Sequence, residues 1–167
     1  HVFEKMLDEA VERYGADHKI IYLLGSSGSL PSEDERAVNF IRNHYVQGGR
    51  IEIRNAARFD EFLTLINEAK LLITGRFHYI IAAMCTKTPF LAVGSNTPKT
   101  DIVTASHGYD GEVLSPKTLE AGELKALLDK FASGALTLTC SAKFTDLAEL
   151  GARNFSVMAR LPETHSP

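Results

Sequence analysis

The fold is decided by one short stretch of the sequence, Leu71-Leu72-Ile73-Thr74-Gly75-Arg76-Phe77-His78. Its first residues are apolar, as in a buried strand, and the apolar run stops at Gly75. Arg76 and His78 follow at once, and an apolar pattern with helical spacing begins at Phe77. The stretch therefore predicts a buried strand, a tight turn and the N-terminus of a helix.

This turn lies where α/β proteins bind their ligands. Ligands of open α/β sheets bind outside the carboxyl ends of the strands, and a helix N-terminus offers free N–H groups and a positive dipole end. The guanidinium of Arg76 can hold a carboxylate or a phosphate through two parallel hydrogen bonds. An imidazole such as that of His78 can transfer a proton near neutral pH. We therefore predict an anion site with a proton-transfer group at this turn.

Short apolar strands alternate with amphipathic helices on both sides of this stretch. The predicted strands cover residues 19–24, 50–54, 71–74, 89–93 and 112–114. The predicted helices cover residues 1–14, 32–45, 59–66, 77–85, 99–106, 115–131 (with Ser115 as N-cap) and 144–158. This alternation favours a three-layer α/β fold with a mostly parallel sheet. We expect one domain over residues 1–161 and a tail over residues 162–167.

Three strand-to-helix junctions are expected at the same edge of the sheet. They cover residues 25–29, 74–78 and 95–100. The second and third follow successive strands, which are expected to be neighbours or near-neighbours. Besides Arg76 and His78, the candidate donor-binding residues at these junctions are Gly25, Ser26, Ser27, Thr74, Gly75, Asn96, Lys99 and Thr100.

Each of these groups also has an ordinary structural explanation. Arg76 alone could be a solvated charge, His78 a structural hydrogen-bonding group, and Lys99 a surface lysine. The prediction of a site therefore depends on their convergence at one edge. Cys85 lies within an apolar helical pattern, and we expect it to be a small buried residue.

Composition excludes several classes of protein. A length of 167 residues with 44% apolar and 23% charged residues is typical of one soluble globular domain. The net charge of −3 provides no general attraction to nucleic acid. No apolar run approaches the ~20 residues of a membrane span, and no phosphate-loop motif or metal-binding cluster is present. Because a helical pattern is already running by Phe3, we expect an excised piece of a longer protein.

A longer pattern resembles the polysaccharide pyruvyl transferase family. It comprises residues 69–78, Ala82-Ala83, residues 88–93, Asn96 and Lys99-Thr100. In that family a strand is followed by Arg-x-His, an apolar helix, a strand that begins with proline, and a trailing lysine. The resemblance implies a Rossmann-like domain, the C-terminal half of a GT-B fold in which two such domains face each other across a cleft.

The resemblance also implies a reaction. A pyruvyl (enolpyruvyl) group would pass from phosphoenolpyruvate to a saccharide acceptor, in cell-envelope or exopolysaccharide biosynthesis. Arg76 would clamp the phosphate or carboxylate of the donor. His78 would act as general acid or base, or would bind the phosphate as it leaves. Lys99, with Asn96 and Thr100, would hold the other anionic end of the donor. No cofactor is implied besides this donor substrate.

Two other functions stay open at this stage. One is a GT-B glycosyltransferase domain that binds a nucleotide-sugar donor, and the other is a non-catalytic module that binds sugar phosphates. The acceptor site is expected on an absent N-terminal half, so the isolated chain should be inactive. The expected location is the cytoplasm, or the inner face of the membrane if the acceptor is lipid-linked. A homo-oligomer is a further open alternative.

Overall fold

Helices and strands alternate along the chain in the computed structural model, which describes residues 2–24, 32–45, 49–94, 98–117, 119 and 121–141. The helices are α1 (Val2–Tyr14), α2 (Ser32–His44), α3 (Phe59–Asn67), α4 (Phe77–Thr86), α5 (Lys99–Ser106) and α6 (Ala121–Ala132). The strands are β1 (Ile20–Leu24), β2 (Ile51–Asn55), β3 (Leu72–Thr74) and β4 (Phe90–Ala92). The predicted last helix, residues 144–158, and the tail, residues 162–167, lie outside the described residues.

The described strands form two parallel pairs. In one pair β1 lies beside β2, and Leu24 is opposite Asn55 at the carboxyl ends. In the other pair β3 lies beside β4, and Thr74 is opposite Ala92. Parallel neighbours point the same way, so each pair has a carboxyl edge and an amino edge. Alternating helices and short parallel strand pairs are compatible with the predicted α/β class, and β3 and β4 are neighbours. Among the described residues the strands form two separate pairs, so one sheet in a three-layer fold stays a prediction.

Helix α4 connects the two strand pairs. The hydroxyl group of Tyr79 donates a hydrogen bond to the backbone oxygen of Leu23, with an O···O distance of 3.2 Å. Tyr79 lies in the first turn of α4, directly after β3, and Leu23 lies next to the last residue of β1. The carboxyl ends of β1 and β3 therefore lie on the same side of the molecule.

Helix α4 is buried over most of its surface and has one exposed stripe. Its buried residues, Tyr79, Ile80, Ala82, Ala83 and Met84, cover most of its circumference. The exposed residues His78 and Cys85 are seven positions apart and lie on the remaining stripe. The prediction that Cys85 is buried was wrong, because the apolar neighbours of this cysteine face the core and the cysteine itself lies on the opposite stripe.

The segment after α5 differs from the sequence prediction in two places. The predicted strand over residues 112–114 is reduced to one parallel bridge, between Leu114 and Val93. The predicted helix start at Ser115 was also wrong, because α6 begins at Ala121. The backbone oxygen of Ser115 instead accepts a hydrogen bond from the amide of Leu119 at 2.9 Å. This single turn buries Leu119, which is 7% exposed, before the regular helix begins.

Candidate active site

The turn between β3 and α4 has the form that the sequence predicts. β3 ends at Thr74, and Arg76 is the N-cap residue of α4, with an extended backbone (φ −88°, ψ 119°). The amide of Arg76 donates to Oγ1 of Thr74 at 3.0 Å, and Thr74 is buried. Thr74 therefore shapes the turn through its hydroxyl oxygen, and its contact with a donor molecule stays a prediction.

Gly75 lies against the neighbouring strand end. A Cβ atom at Gly75 would lie 3.1 Å from the backbone oxygen of Val93 and 3.6 Å from the Cβ atom of Val93. The first distance is shorter than an ordinary van der Waals contact, so a larger residue would push the two strand ends apart. A glycine at this position therefore lets the turn after β3 approach the end of β4.

Replacing Gly75 with alanine is expected to lower the free energy of unfolding by about 1 kcal/mol, because the added methyl group overpacks the contact with Val93. The matched control is Gly122→Ala in α6, where an added Cβ would meet nothing within 4 Å. That change should stabilise the chain by up to about 1 kcal/mol, since alanine is the better helix former. Urea unfolding of both variants measures the difference, and equal effects would contradict the tight approach.

Arg76 is held beside the end of β1 by Tyr79. The guanidinium carbon of Arg76 lies 5.9 Å from the centroid of the Tyr79 ring, within the range of a cation–π contact. Tyr79 is 7% exposed and is anchored to Leu23 through its hydroxyl group. Sequence reasoning missed Tyr79, although its position three residues after Arg76 puts both side chains on one face of the helix.

His78 is the second residue of α4 and is exposed. Its ring centroid lies 5.7 Å from that of Phe77, in an edge-to-face arrangement. Phe77 is half-buried and packs against the core. The imidazole therefore has a packed neighbour on one side and solvent access for a ligand on the other.

The end of β4 lies directly beside the end of β3. The amide of Val93 donates to the backbone oxygen of Thr74 at 2.9 Å, so the chain leaves β3 and β4 side by side. Lys99 is the first residue of α5 and is exposed. Thr100 is 1% exposed, and its Oγ1 has no hydrogen-bond partner among the described residues.

The predicted site residues thus fall into three groups. Thr74, Gly75, Arg76 and His78 share the junction after β3, and Lys99 and Thr100 start the helix after β4. Gly25, Ser26, Ser27 and Asn96 lie outside the described residues. The structure places the ends of β3 and β4 side by side, while the convergence of Arg76, His78 and Lys99 on one ligand stays a prediction.

Comparison with known protein families adds an independent observation. The sequence model of the family described as polysaccharide pyruvyl transferase matches residues 3–97, more than half of the chain. The chain belongs to the polysaccharide pyruvyl transferase family. Comparison with curated proteins and with solved structures finds no match. The family match includes the whole junction after β3, with Arg76 and His78, and ends two residues before Lys99.

Membership in this family assigns the chain to transferases that modify polysaccharides. In the part of the chain that the structure describes, no three His, Cys, Asp or Glu side chains are grouped as metal ligands would be. None of the helices described is both long enough and apolar enough to cross a membrane.

A basic cavity at the amino edge was not predicted from the sequence. It has a volume of about 480 Å³ and is lined by residues that include His18, Lys19, Arg42, Arg50 and Glu52. Glu52 forms ion pairs with Lys19 and with a neighbouring arginine, and their hydrogen bonds hold the pKa of this carboxyl group below its usual range. The lining cations lie at the starts of strands and at a helix C-terminus. At the helix C-terminus the helix dipole favours a positive charge. This cavity lies at the opposite edge from the candidate site.

Proposed function

We propose that this chain carries the donor site of a transferase that moves a pyruvyl group from phosphoenolpyruvate to a saccharide. The supporting observation is the junction after β3, where an exposed arginine and an exposed histidine share a helix N-terminus at the carboxyl edge. This junction lies within the segment that matches the family. A helix N-terminus favours an anion, and phosphoenolpyruvate carries two anionic groups.

In this proposal the two helix N-termini hold the two ends of the donor. Arg76 forms paired hydrogen bonds with the phosphate or the carboxylate. Lys99 and the buried hydroxyl group of Thr100 bind the other anionic group, together with Asn96. The close contact of Gly75 with Val93 keeps the ends of β3 and β4 near each other, and we expect the helices that follow these strands to begin on the same side. The donor is thereby oriented before the acceptor arrives, which lowers the entropy cost of the reaction.

His78 is the proposed proton-transfer group. When a sugar hydroxyl adds to C2 of the donor, that hydroxyl loses a proton and the methylene carbon C3 gains one. The oxygen of a second sugar hydroxyl then bonds to C2, and the bond from C2 to the phosphate oxygen breaks. The proton of this second hydroxyl leaves with the phosphate. The product is a cyclic pyruvate ketal. A histidine beside two cations can move a proton in these steps while the cations stabilise the departing phosphate.

The proposal also includes the architecture around the site. The chain would be the Rossmann-like C-terminal half of a GT-B enzyme, and most of the acceptor site would lie on the other half. The parallel strand pairs, with helix N-termini at their carboxyl edge, support such a half. Turnover would then require both halves, and turnover by this chain alone would contradict this part of the proposal.

Thermal unfolding of the full-length protein with different ligands tests the donor. Phosphoenolpyruvate at a hundred times its dissociation constant should stabilise the protein by about 2.7 kcal/mol, because it binds only the folded state. This corresponds to a rise of several degrees in the melting temperature. A panel of nucleotides and nucleotide sugars is the comparison. A rise with a nucleotide but not with phosphoenolpyruvate would reject pyruvyl transfer and favour a glycosyltransferase.

A further inference from the structure

An aromatic ring stands exposed at the carboxyl edge, close to the candidate site. Phe59 is the first residue of α3, is 72% exposed, and is separated from the end of β2 by residues 56–58. The last residue of β2, Asn55, is also exposed and lies opposite Leu24. Phe59 therefore stands at the same edge as the turn that carries Arg76.

The exposure of Phe59 follows from the length of the apolar face of α3. Phe59, Phe62, Leu63 and Ile66 have the spacing of one helix face. Ile66 is 1% exposed, and Phe62 and Leu63 pack against the same core. The apolar face thus extends one turn beyond the core, and its last ring is left in solvent at the edge where the ligand is expected.

Hydrogen-bonded polar groups flank Phe59 in the sequence. The guanidinium of Arg58 donates two hydrogen bonds to the carboxylate of Asp60, at 2.9 Å and 2.6 Å. The amide of Ala57 donates to a carboxylate oxygen of Glu61 at 3.0 Å, which ties down the start of the helix. The start of α3 thus carries an exposed ring and, on the residues to either side of it, a hydrogen-bonded arginine–aspartate pair. The ring offers a surface for C–H groups, and the pair offers polar atoms for hydroxyl groups.

A row of rings joins this surface to the candidate site. The ring centroids of Phe59 and Phe62 are 6.0 Å apart and nearly parallel, and those of Phe62 and Tyr79 are 4.9 Å apart. The Tyr79 ring in turn lies beneath the guanidinium of Arg76. Three successive contacts therefore connect a ligand on Phe59 with Arg76 in the proposed donor site. A few linked sugar rings can span that distance.

We propose that Phe59, with the Arg58–Asp60 pair, is a subsite for the saccharide acceptor. The electron-rich face of an aromatic ring attracts the partly positive C–H groups on one face of a pyranose. The arginine–aspartate pair would bind the hydroxyl groups at the rim of the same sugar. The subsite deepens the proposed function and rests on it for its role in the reaction, but saccharide binding can be measured without any turnover.

A tryptophan reporter tests the subsite directly, because the sequence contains no tryptophan. Phe59→Trp places the only indole at the proposed subsite. The matched control is Ile102→Trp, at a residue of α5 that is 62% exposed. The probes are cellobiose, maltotriose and lactose. We expect a saturable change in emission from Trp at position 59, with a dissociation constant in the millimolar range, and no change in the control. No response to any probe, or the same response from both variants, would overturn the subsite.

Kinetics of the full-length enzyme provide the second readout. Phe59→Ala should raise the KM for the acceptor by about tenfold and leave the KM for phosphoenolpyruvate unchanged, and Phe59→Tyr should restore it. A saccharide response without any phosphoenolpyruvate response would keep the subsite and reject the proposed donor. If Phe59→Ala instead dissociates an assembly in sedimentation and leaves the acceptor KM unchanged, the ring is a protein contact and the subsite is rejected.

Discussion

Replacing Arg76 with alanine is expected to weaken the binding of phosphoenolpyruvate by about 10- to 100-fold, because hydrogen bonds to a charged group are lost. The free energy of unfolding should change by less than about 1 kcal/mol, since the side chain is exposed. The turn itself should persist, because the bond to Thr74 comes from the backbone amide of Arg76. Calorimetric titration and urea unfolding of the same sample measure both quantities.

Two further variants make the Arg76 test specific. Arg76→Lys keeps the charge but loses the planar pair of donors, so binding should be intermediate. Arg42→Ala removes an exposed arginine at the amino edge, in the last turn of α2, and should leave the binding of phosphoenolpyruvate unchanged. Equal losses of affinity and stability in Arg76→Ala would show that Arg76 is structural.

Replacing His78 with alanine in the full-length enzyme is expected to lower kcat by about 10²- to 10⁴-fold, the usual contribution of a general acid–base group. The dissociation constant for phosphoenolpyruvate should change by only a few-fold, because Arg76 and Lys99 keep their charges. Stability should be nearly unaffected, since His78 lies on the exposed stripe of α4.

The control for His78 is another exposed histidine. His18 lies at the amino edge, where its Nε2 atom is 3.3 Å from Nζ of Lys70. His18→Ala should leave kcat unchanged. Full activity of His78→Ala would reject acid–base catalysis at this position.

Much of the fold near the site could be predicted from the sequence. The strand over residues 72–74 is bounded by a glycine, and its apolar run is too short to be a helix. α5 begins at Lys99 and ends at Ser106, as predicted, because proline precedes it and glycine follows it closely. Signals of this kind depend only on residues that are close together in the chain. A single sequence is therefore enough to predict the elements that they bound.

Other features depend on contacts that local patterns do not contain. Ser115 has the chemistry of an N-cap, and its hydroxyl oxygen accepts from the amide of Lys117, but α6 begins only at Ala121, after the buried Leu119. Cys85 has apolar neighbours in the sequence, but these neighbours face the core, whereas Cys85 lies on the exposed stripe of α4. Tyr79 bonds to a strand 56 residues away, and Phe59 is exposed because the core ends one turn earlier. Each of these outcomes was decided by tertiary packing.

Mapping the binding of phosphoenolpyruvate by amide chemical shifts tests the central claim most directly. In ¹⁵N-labelled protein we expect the largest shifts at the amides of Gly75, Arg76 and His78 and at those of Lys99 and Thr100, with one common dissociation constant. One shared constant would mean that a single bound donor contacts both junctions at the carboxyl edge. Shifts confined to residues 49–53 at the amino-edge cavity, or shifts at only one of the two junctions, would contradict the account.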